Sequence, residues 1–419
     1  MSDLSKSQKI KQTIERNRLR RASMIVKVFE LKIDESHLSK EKFEKLKNWF
    51  HQAKWLYNYL ISNDSCFNFD YKIKEIPVKI FNKETQICDL EELRALTLSS
   101  QIKQSLVDRI KQNIINLSKK KFKGGRVGKL KFVKEVNSIP LKQANVTYKI
   151  KDRNKIAIQG LGILKVNGLE QIKGFELANA VLLKKPSGFF VKITVYGEKE
   201  GIVTDGESIG LDFGIKDSIV MSNGKKFKFC VPVNRNLKRQ QKFLSRKTRG
   251  SKRYLKQLKR VKKLHERNSC IKNDLANKFV NKLKKYEKVV IQDENLAGWK
   301  SSFFGKTIQN SILGRIKSKI KMLETSIVIN RYLPTTKVSP ISGRLISIPL
   351  SQRVFQEGSF SEDRDVKSAK IILALGLYNQ NLTRKELMGL PEEERISIFQ
   401  KFYAFEKQIL PMNREATAL

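Results

Sequence analysis

Residues 24–33, MIVKVFELKI, alternate in strand fashion, with Ile25, Val28 and Leu31 interleaved with Lys27 and Glu30, and predict a strand that must pair with something later. Helical spacing then runs from Ser39 to Ile61, where Phe43, Leu46, Trp49, Phe50, Ala53, Leu56 and Tyr57 share one broad face behind a Ser39 cap. Leu93 to Leu117 repeats that pattern and predicts a second long helix. From Gly124 to Glu198 the chain returns to short β-like runs broken by Gly and Pro: VTYKIKD, KIAIQG, GILKVNG, AVLLKKPSG and FFVKITVYG. With the first strand these predict a basic β-barrel or sheet carrying a helical insertion.

The second half begins differently. In SIGLDFGIKDSIVMSNGKKF, Ile209, Leu211 and Phe213 lie on one side of a strand and Asp212 on the other, and Asn223-Gly224 supplies a hairpin turn. Gly210 and Gly214 flank the acid and allow another backbone or a ligand to come close. Val289, Val290 and Ile291 form a buried-strand run that ends in Gln292, Asp293 and Glu294. Acids at a strand's carboxyl end are where open α/β sheets place their sites. Lastly, Asp363 or Asp365 opens a helix whose apolar face carries Ala369, Ile371, Ile372, Leu375 and Leu377.

Charge changes the picture. The 419 residues hold 85 Lys and Arg against 41 Asp and Glu, a net +44, while the apolar fraction of 40% is enough for two or three real cores. A folded chain this basic points to nucleic acid. Arg235 to Arg267 alone holds 15 Lys and Arg with one acid, Glu266, interleaved with Leu237, Phe243, Leu244, Leu255, Leu258, Val261 and Leu264. It predicts a long basic helix or helical hairpin, broken near Thr248-Arg249-Gly250, that tracks phosphates. No apolar run is long enough to span a membrane and the amino terminus lacks a signal-peptide core, so a cytoplasmic protein is expected. Cys66, Cys88, Cys230 and Cys270 form no CxxC pair and are expected as reduced thiols. There is no GxxxxGK[ST] phosphate loop to suggest nucleotide hydrolysis.

Carboxylates brought together repel one another and stay protonated unless divalent cations sit between them. Two Mg²⁺ ions about 4 Å apart can activate water and stabilise the leaving oxygen of a phosphodiester. Three acids in apolar strands and at helix ends of a basic chain therefore suggest nuclease chemistry.

The segments GLDFGIKDSIVMSNG, VVIQDENLAGW, PTTK and DRDVKSAK, in that order, resemble the TnpB proteins and the related type V CRISPR effectors. FHQAKWLYNYL looks like that family's first recognition helix, so the likeness runs from about residue 24 to 378. The resemblance implies an α/β multidomain fold: a basic arm over 1–23, a basic β-barrel (wedge) over 24–38 and 124–200, and a helical recognition domain over 39–123. It further implies an RNase H-like RuvC domain over 201–334 and 360–380, a zinc-ribbon insertion over 335–359, and a tail over 381–419. By position Asp212 matches the first RuvC carboxylate and Asp365 the third. A common family form has Glu where this chain has Gln292, while an ENL register makes Glu294 the middle acid; Glu294 is the residue favoured here, with Asp212 and Asp365, as a Mg²⁺ ligand.

Two departures stand out. The knuckles of the ribbon read SPISG and FQEGS, so Ser339, Ser342, Phe355 and Gly358 stand where zinc-binding cysteines are expected, and zinc is not expected here. Lys367 replaces the usual Asn of the helix after the third acid. The implied function is RNA-guided DNA endonuclease, transposon-associated, with guide RNA and target DNA as partners. The alternative is RNA-guided binding without cleavage, a repressor or roadblock. Candidate nucleic-acid contacts are Trp49, Lys54, Trp55 and Tyr57 on the first long helix, Lys238, Arg239, Lys242, Arg246 and Arg253 on the basic hairpin, and Lys337 in PTTK. The oligomeric state is not readable.

Overall fold

The structure, a computed structural model, describes residues 5–62, 68–80, 90–199, 201, 204–229, 235–301, 305–349 and 351–409. The chain divides into two compact units, Met1–Glu200 and Gly201–Leu419.

The first unit opens with helix α1 (Lys6–Ala22), closed at its start by a reciprocal capping box between Ser5 and Gln8. Strand β1 (Ile25–Lys32) and helix α2 (Lys40–Ser62) follow where the periodicity placed them. The next stretch departs from the expectation of a helix from Leu93. Strands β2 (Glu75–Ile80) and β3 (Leu90–Ala95) pair antiparallel, and helix α3 (Ser100–Phe122) begins only after Ser99, whose hydroxyl accepts from Ile102 N. The cap, not the apolar spacing, sets the boundary.

Strands β4 (Ser138–Leu141), β5 (Tyr148–Asp152), β6 (Lys155–Ile158), β7 (Gly162–Lys165), β8 (Glu176–Lys185) and β9 (Gly188–Gly197) complete the unit. They build a four-stranded sheet, β1-β9-β8-β4, and a three-stranded one, β5-β6-β7, joined by a single bridge between Ile33 and Val166. The expected barrel is not closed among the described residues. Pro140 in β4 has no N–H to give a further neighbour, and Arg109 of α3 donates to Ser138 O at 3.0 Å across that edge. The core packs Leu46, Trp49, Ala53 and Leu56 of α2 and Ile102 and Leu106 of α3 among Ile139, Val191 and Ile193 of the sheet.

The second unit is built on strands β10 (Ser208–Phe213), β11 (Ile219–Met221), β12 (Lys226–Phe227), β13 (Lys288–Gln292) and β14 (Ser326–Ile329), in the order β12-β11-β10-β13-β14. The hairpin side is antiparallel; β13 runs parallel to β10 and β14 parallel to β13. Helices α4 (Arg235–Ser245) and α5 (Lys252–Leu283) fill the first crossover, and α6 (Leu296–Ser301), α7 (Gly305–Asn310) and α8 (Leu313–Ile320) the second. A hairpin, β15 (Val354–Glu357) with β16 (Phe360–Asp363), leads into α9 (Arg364–Tyr378), α10 (Arg384–Gly389) and α11 (Glu392–Ile409).

Strand β13 is buried on both faces, which is why its sequence is an unbroken apolar run. Ile209, Leu211, Val289 and Ile291 face Phe279, Leu283, Ile312 and Ile316 of α5 and α8. On the other face α9 lies so close that a Cβ at Gly210 would collide with Ala369 O, and one at Gly376 with the Val290 side chain. These two glycines bring the amino end of α9 over the carboxyl end of β10. No helix among the described residues is long and apolar enough to cross a membrane.

Candidate active site

Asp212 stands on central strand β10, paired with Val220 of β11, one residue beyond the Leu211–Ile291 pair that joins β10 to β13. It lies on the face covered by α9, where burial, followed by the charges of Asp365 and Glu294, pushes its carboxyl up to about 7; a hydrogen bond from Ser368 and the charge of Arg364 oppose the rise. Acids expected from two other segments, Asp365 and Glu294, therefore act on Asp212 across the end of the sheet.

Asp363 and Asp365 divide their roles. Asp363 caps α9, its Oδ1 accepting from Asp365 N at 3.0 Å and Val366 N at 3.2 Å. Burial works to raise the Asp363 carboxyl, but Lys226 at 2.6 Å and these backbone donors hold it below the ordinary range. Asp365, relieved of capping, sits in the first turn of α9 beside Arg364 Nε at 3.4 Å and Arg353 at 3.6 Å.

Three consecutive polar residues end β13, and each does something different. Register puts Gln292 on the α9 face beside Asp212, but its amide nitrogen donates to Asn330 O, Arg331 O and Leu333 O at 3.2, 3.2 and 2.8 Å, and its Oε1 accepts from Thr335 at 3.0 Å. Asp293 is held well below the usual carboxylate range by Lys321 at 2.6 Å, Lys317 at 2.9 Å and Arg331 at 2.8 Å. Glu294 is half-buried; burial pushes its carboxyl up, against the pull of Lys317 and Arg331. Thr335 is also 3.2 Å from Ser368 Oγ, so a line of polar contacts runs from Gln292 through Thr335 and Ser368 to Asp212. Sequence reasoning missed Thr335 and Ser368; PTTK was noticed for its lysine alone.

The loop over 335–359 holds its shape through side chains at positions where the resemblance leads one to expect cysteines. Buried Ser339 accepts from Ile341 N at 3.0 Å and Ser342 N at 3.1 Å and donates to Glu357. Phe355 is fully buried, and the Lys367 ammonium lies 4.2 Å from its ring centroid while donating to Thr336 O at 2.7 Å and Val338 O at 2.8 Å. Burial lowers the Lys367 pKa to about 8, with Glu362 and Glu357 opposing. The two departures from the resemblance noted in the sequence, other residues at the expected cysteine positions and a lysine for Asn, thus meet at one place, where the ammonium ties the loop to α9. Lys367→Ala should cost about 2–4 kcal/mol, because it leaves a cavity and unpairs the Thr336 and Val338 carbonyls, the latter buried. It should also speed tryptic cleavage at Arg344, which unchanged digestion and melting would contradict.

The nucleic-acid candidates separate into two groups. Trp49 is 0% exposed and packs on the turn at Gly160, so it cannot stack on a base; its expected role is corrected to core packing. Lys54, Trp55 and Tyr57 on the same helix are half-buried, with Arg94 5.4 Å from the Trp55 ring. Lys238, Arg239, Lys242, Arg246 and Arg253 are all exposed on the α4–α5 hairpin, which turns at Gly250 with φ +87°. Lys337 is exposed. Cys66, Cys88 and Cys230 lie outside the described residues, and Cys270 is a free, exposed thiol.

Comparison with known proteins places these features. Residues 193–301, which span β10 with Asp212, the basic hairpin, β13 and Glu294 just beyond it, match the family OrfB_IS605, a probable transposase. This bears out the TnpB resemblance drawn from the motifs. A Streptomyces pristinaespiralis protein named "Putative RNA-guided DNA endonuclease" is 26% identical over 182 residues, 41% of this chain and 45% of that protein. InsQ of Escherichia coli K12, given the same description, is 24% identical over 243 residues, 55% of this chain and 60% of its own length. The chain thus spans about half the length of these curated relatives. A solved Cas12f1–sgRNA–target DNA complex contains a chain related at a TM-score of 0.45 and 13% identity, over 84% of this chain and 99% of that one.

Proposed function

We propose that this chain is an RNA-guided DNA endonuclease of the TnpB type, with residues 201–334 and 360–380 as an RNase H-like, RuvC-type catalytic domain. The observation that carries the reading is Asp212, a carboxyl raised to about 7 by burial and by two other acids, Asp365 and Glu294. Two acids from other elements that oppose the ionisation of Asp212, within a chain of net +44, form with it a concentration of negative charge that a divalent cation would relieve.

The donor set is all oxygen, which suits Mg²⁺ rather than zinc. Among the described residues no three His, Cys, Asp or Glu side chains stand close enough to hold a metal ion as they lie. Asp212, Glu294 and Asp365 are the residues that would hold it, and Asp365 now contacts Arg353 and Arg364. When bound, Mg²⁺, as two ions by the family resemblance, supplies Lewis-acid stabilisation of phosphodiester oxygens and a nucleophile at neutral pH. The chain's own residues do the rest. Ser368 orients the Asp212 carboxylate, Arg353 turns to the scissile phosphate, and the α4–α5 hairpin and Lys337 track neighbouring phosphates. The sheets of 24–38 and 124–200, as a wedge, and the helices of 39–123 hold the guide RNA, and base pairing selects the target DNA.

A second reading, guide-directed DNA binding without cutting, is favoured by one observation: the residue beside Asp212 in register is Gln292, and its amide is engaged in four hydrogen bonds. The two separate in a plasmid assay on the protein purified with its co-expressed RNA, comparing Glu294→Ala with Gln292→Ala. Cutting that survives in Gln292→Ala and vanishes in Glu294→Ala supports the assignment. Full cutting in Glu294→Ala overturns it, and guide-dependent binding with no cutting by the wild type leaves the second reading.

A further inference from the structure

The basic hairpin contains more than a row of cations. Between α4 and α5 lies a cavity of about 430 Å³ lined by Gln240, Phe243, Arg246, Lys247, Gln257 and Arg260. Its lining has three cations and no acid. Phe243 is 43% exposed, an aromatic ring left open to solvent in the middle of a phosphate-tracking surface.

The polar wall is built rather than incidental. Gln257 is 4% exposed, and its amide nitrogen donates to Gln240 O at 3.0 Å and Gln240 Oε1 at 2.7 Å. Gln240 in turn donates to Asn236 Oδ1 at 3.2 Å. These bonds fix the direction of both amides and commit the Gln257 nitrogen to Gln240, so the edge that Gln257 offers a ligand is its carbonyl oxygen. Phosphate tracking alone needs neither an open ring nor an oriented acceptor among the cations.

We infer that this cavity takes one unstacked nucleotide of a single strand, its base against the Phe243 ring and the Gln257 carbonyl, its phosphate between Arg246 and Arg260. A π-face accepts any base, so the grip is tolerant of sequence, while the carbonyl favours bases that present an N–H. The inference rests on the nucleic-acid reading of the hairpin above and adds the base to what had been a phosphate contact. The strand could be RNA or displaced DNA, which share this chemistry.

The test uses the full-length protein and fluorescence anisotropy with U8, dT8 and an abasic octamer of the same charge. Stacking in the cavity predicts that the wild type binds at least one of the base-bearing strands about tenfold or more tightly than the abasic one. Phe243→Leu should bring that ratio close to one, Phe243→Trp should preserve it, and Arg253→Gln, outside the cavity, should weaken all three probes equally. A preference for U8 over dT8 assigns the cavity to RNA, and the reverse assigns it to DNA. A base-to-abasic ratio unchanged in Phe243→Leu, with melting unchanged, overturns the inference. The readout needs neither guide nor cleavage, so a chain that fails to cut still reports on the cavity, and one that binds no strand at all contradicts the nucleic-acid reading itself.

Discussion

Asp212→Asn is expected to abolish Mg²⁺-dependent cutting and, in EDTA above pH 7, to make the protein more stable than the wild type. The first effect should be at least about two orders of magnitude, since even outer-shell partners of metal ligands are worth about 10- to 100-fold. The second follows from linkage. The Asp212 carboxyl rises from an ordinary 3.8 to about 7 on folding, so between those values the folded state holds a proton that the unfolded state releases, and stability falls as pH climbs from about 4 to 7. At about 1.4 kcal/mol per tenfold, the cost is capped at about 4 kcal/mol. Asparagine removes that cost, so the mutant's advantage should appear in melts at pH 8 in EDTA and fade at pH 4 or on adding Mg²⁺ to the wild type. A mutant less stable than the wild type at pH 8 without metal would contradict the account of why the acid is raised.

Gln292→Glu, which would place there the acid of a common form of the resembled family, is expected to destabilise the protein by about 3 kcal/mol in the absence of metal. Gln292 is 3% exposed, and its amide nitrogen points at three carbonyl oxygens. A carboxylate there can accept but not donate, so it faces those oxygens unpaired, and an uncompensated buried charge costs about 3–5 kcal/mol. The alternative is that the introduced carboxyl keeps its proton, which shows as stability that is lost as pH rises through its folded pKa. Chemical denaturation in EDTA at pH 6 and pH 8 measures both. Equal stability of Gln292→Glu and wild type at pH 8 would show that the loop carbonyls do not depend on the amide.

Much of the second unit is visible in the sequence because its pattern is local. Alternation around Asp212, the apolar run of β13, the helix after Asp365 and the basic hairpin each fit within a few turns or a single strand, and the structure puts Asp212 in electrostatic reach of both Glu294 and Asp365. What the pattern could not show depends on partners distant in the chain. Leu93 fits a helical stripe and a strand equally well; its pairing with Pro77 of β2 decides for the strand. Trp49 has the same spacing on α2 whether it faces a duplex or the core, and the turn at Gly160 settles it. Closure of a barrel depends on edges, and the signal in SIPL is the single Pro140 that marks β4 as an edge strand, which strand alternation alone does not weigh. The roles of Gln292 and Lys367 are hardest to see, since both bind backbone carbonyls in and around PTTK, which no side-chain pattern announces.

The central claim is that Asp212, Glu294 and Asp365 form a metal-dependent phosphodiesterase site directed by RNA. Its most direct test is cleavage of a target-library plasmid by the wild-type protein purified with its co-expressed RNA, in Mg²⁺ and in EDTA, with Asp365→Ala beside it. The account predicts guide-dependent double-strand breaks in Mg²⁺ alone, lost in Asp365→Ala while target binding persists. Tight guide-dependent binding with no breaks from the wild type in Mg²⁺ would contradict it.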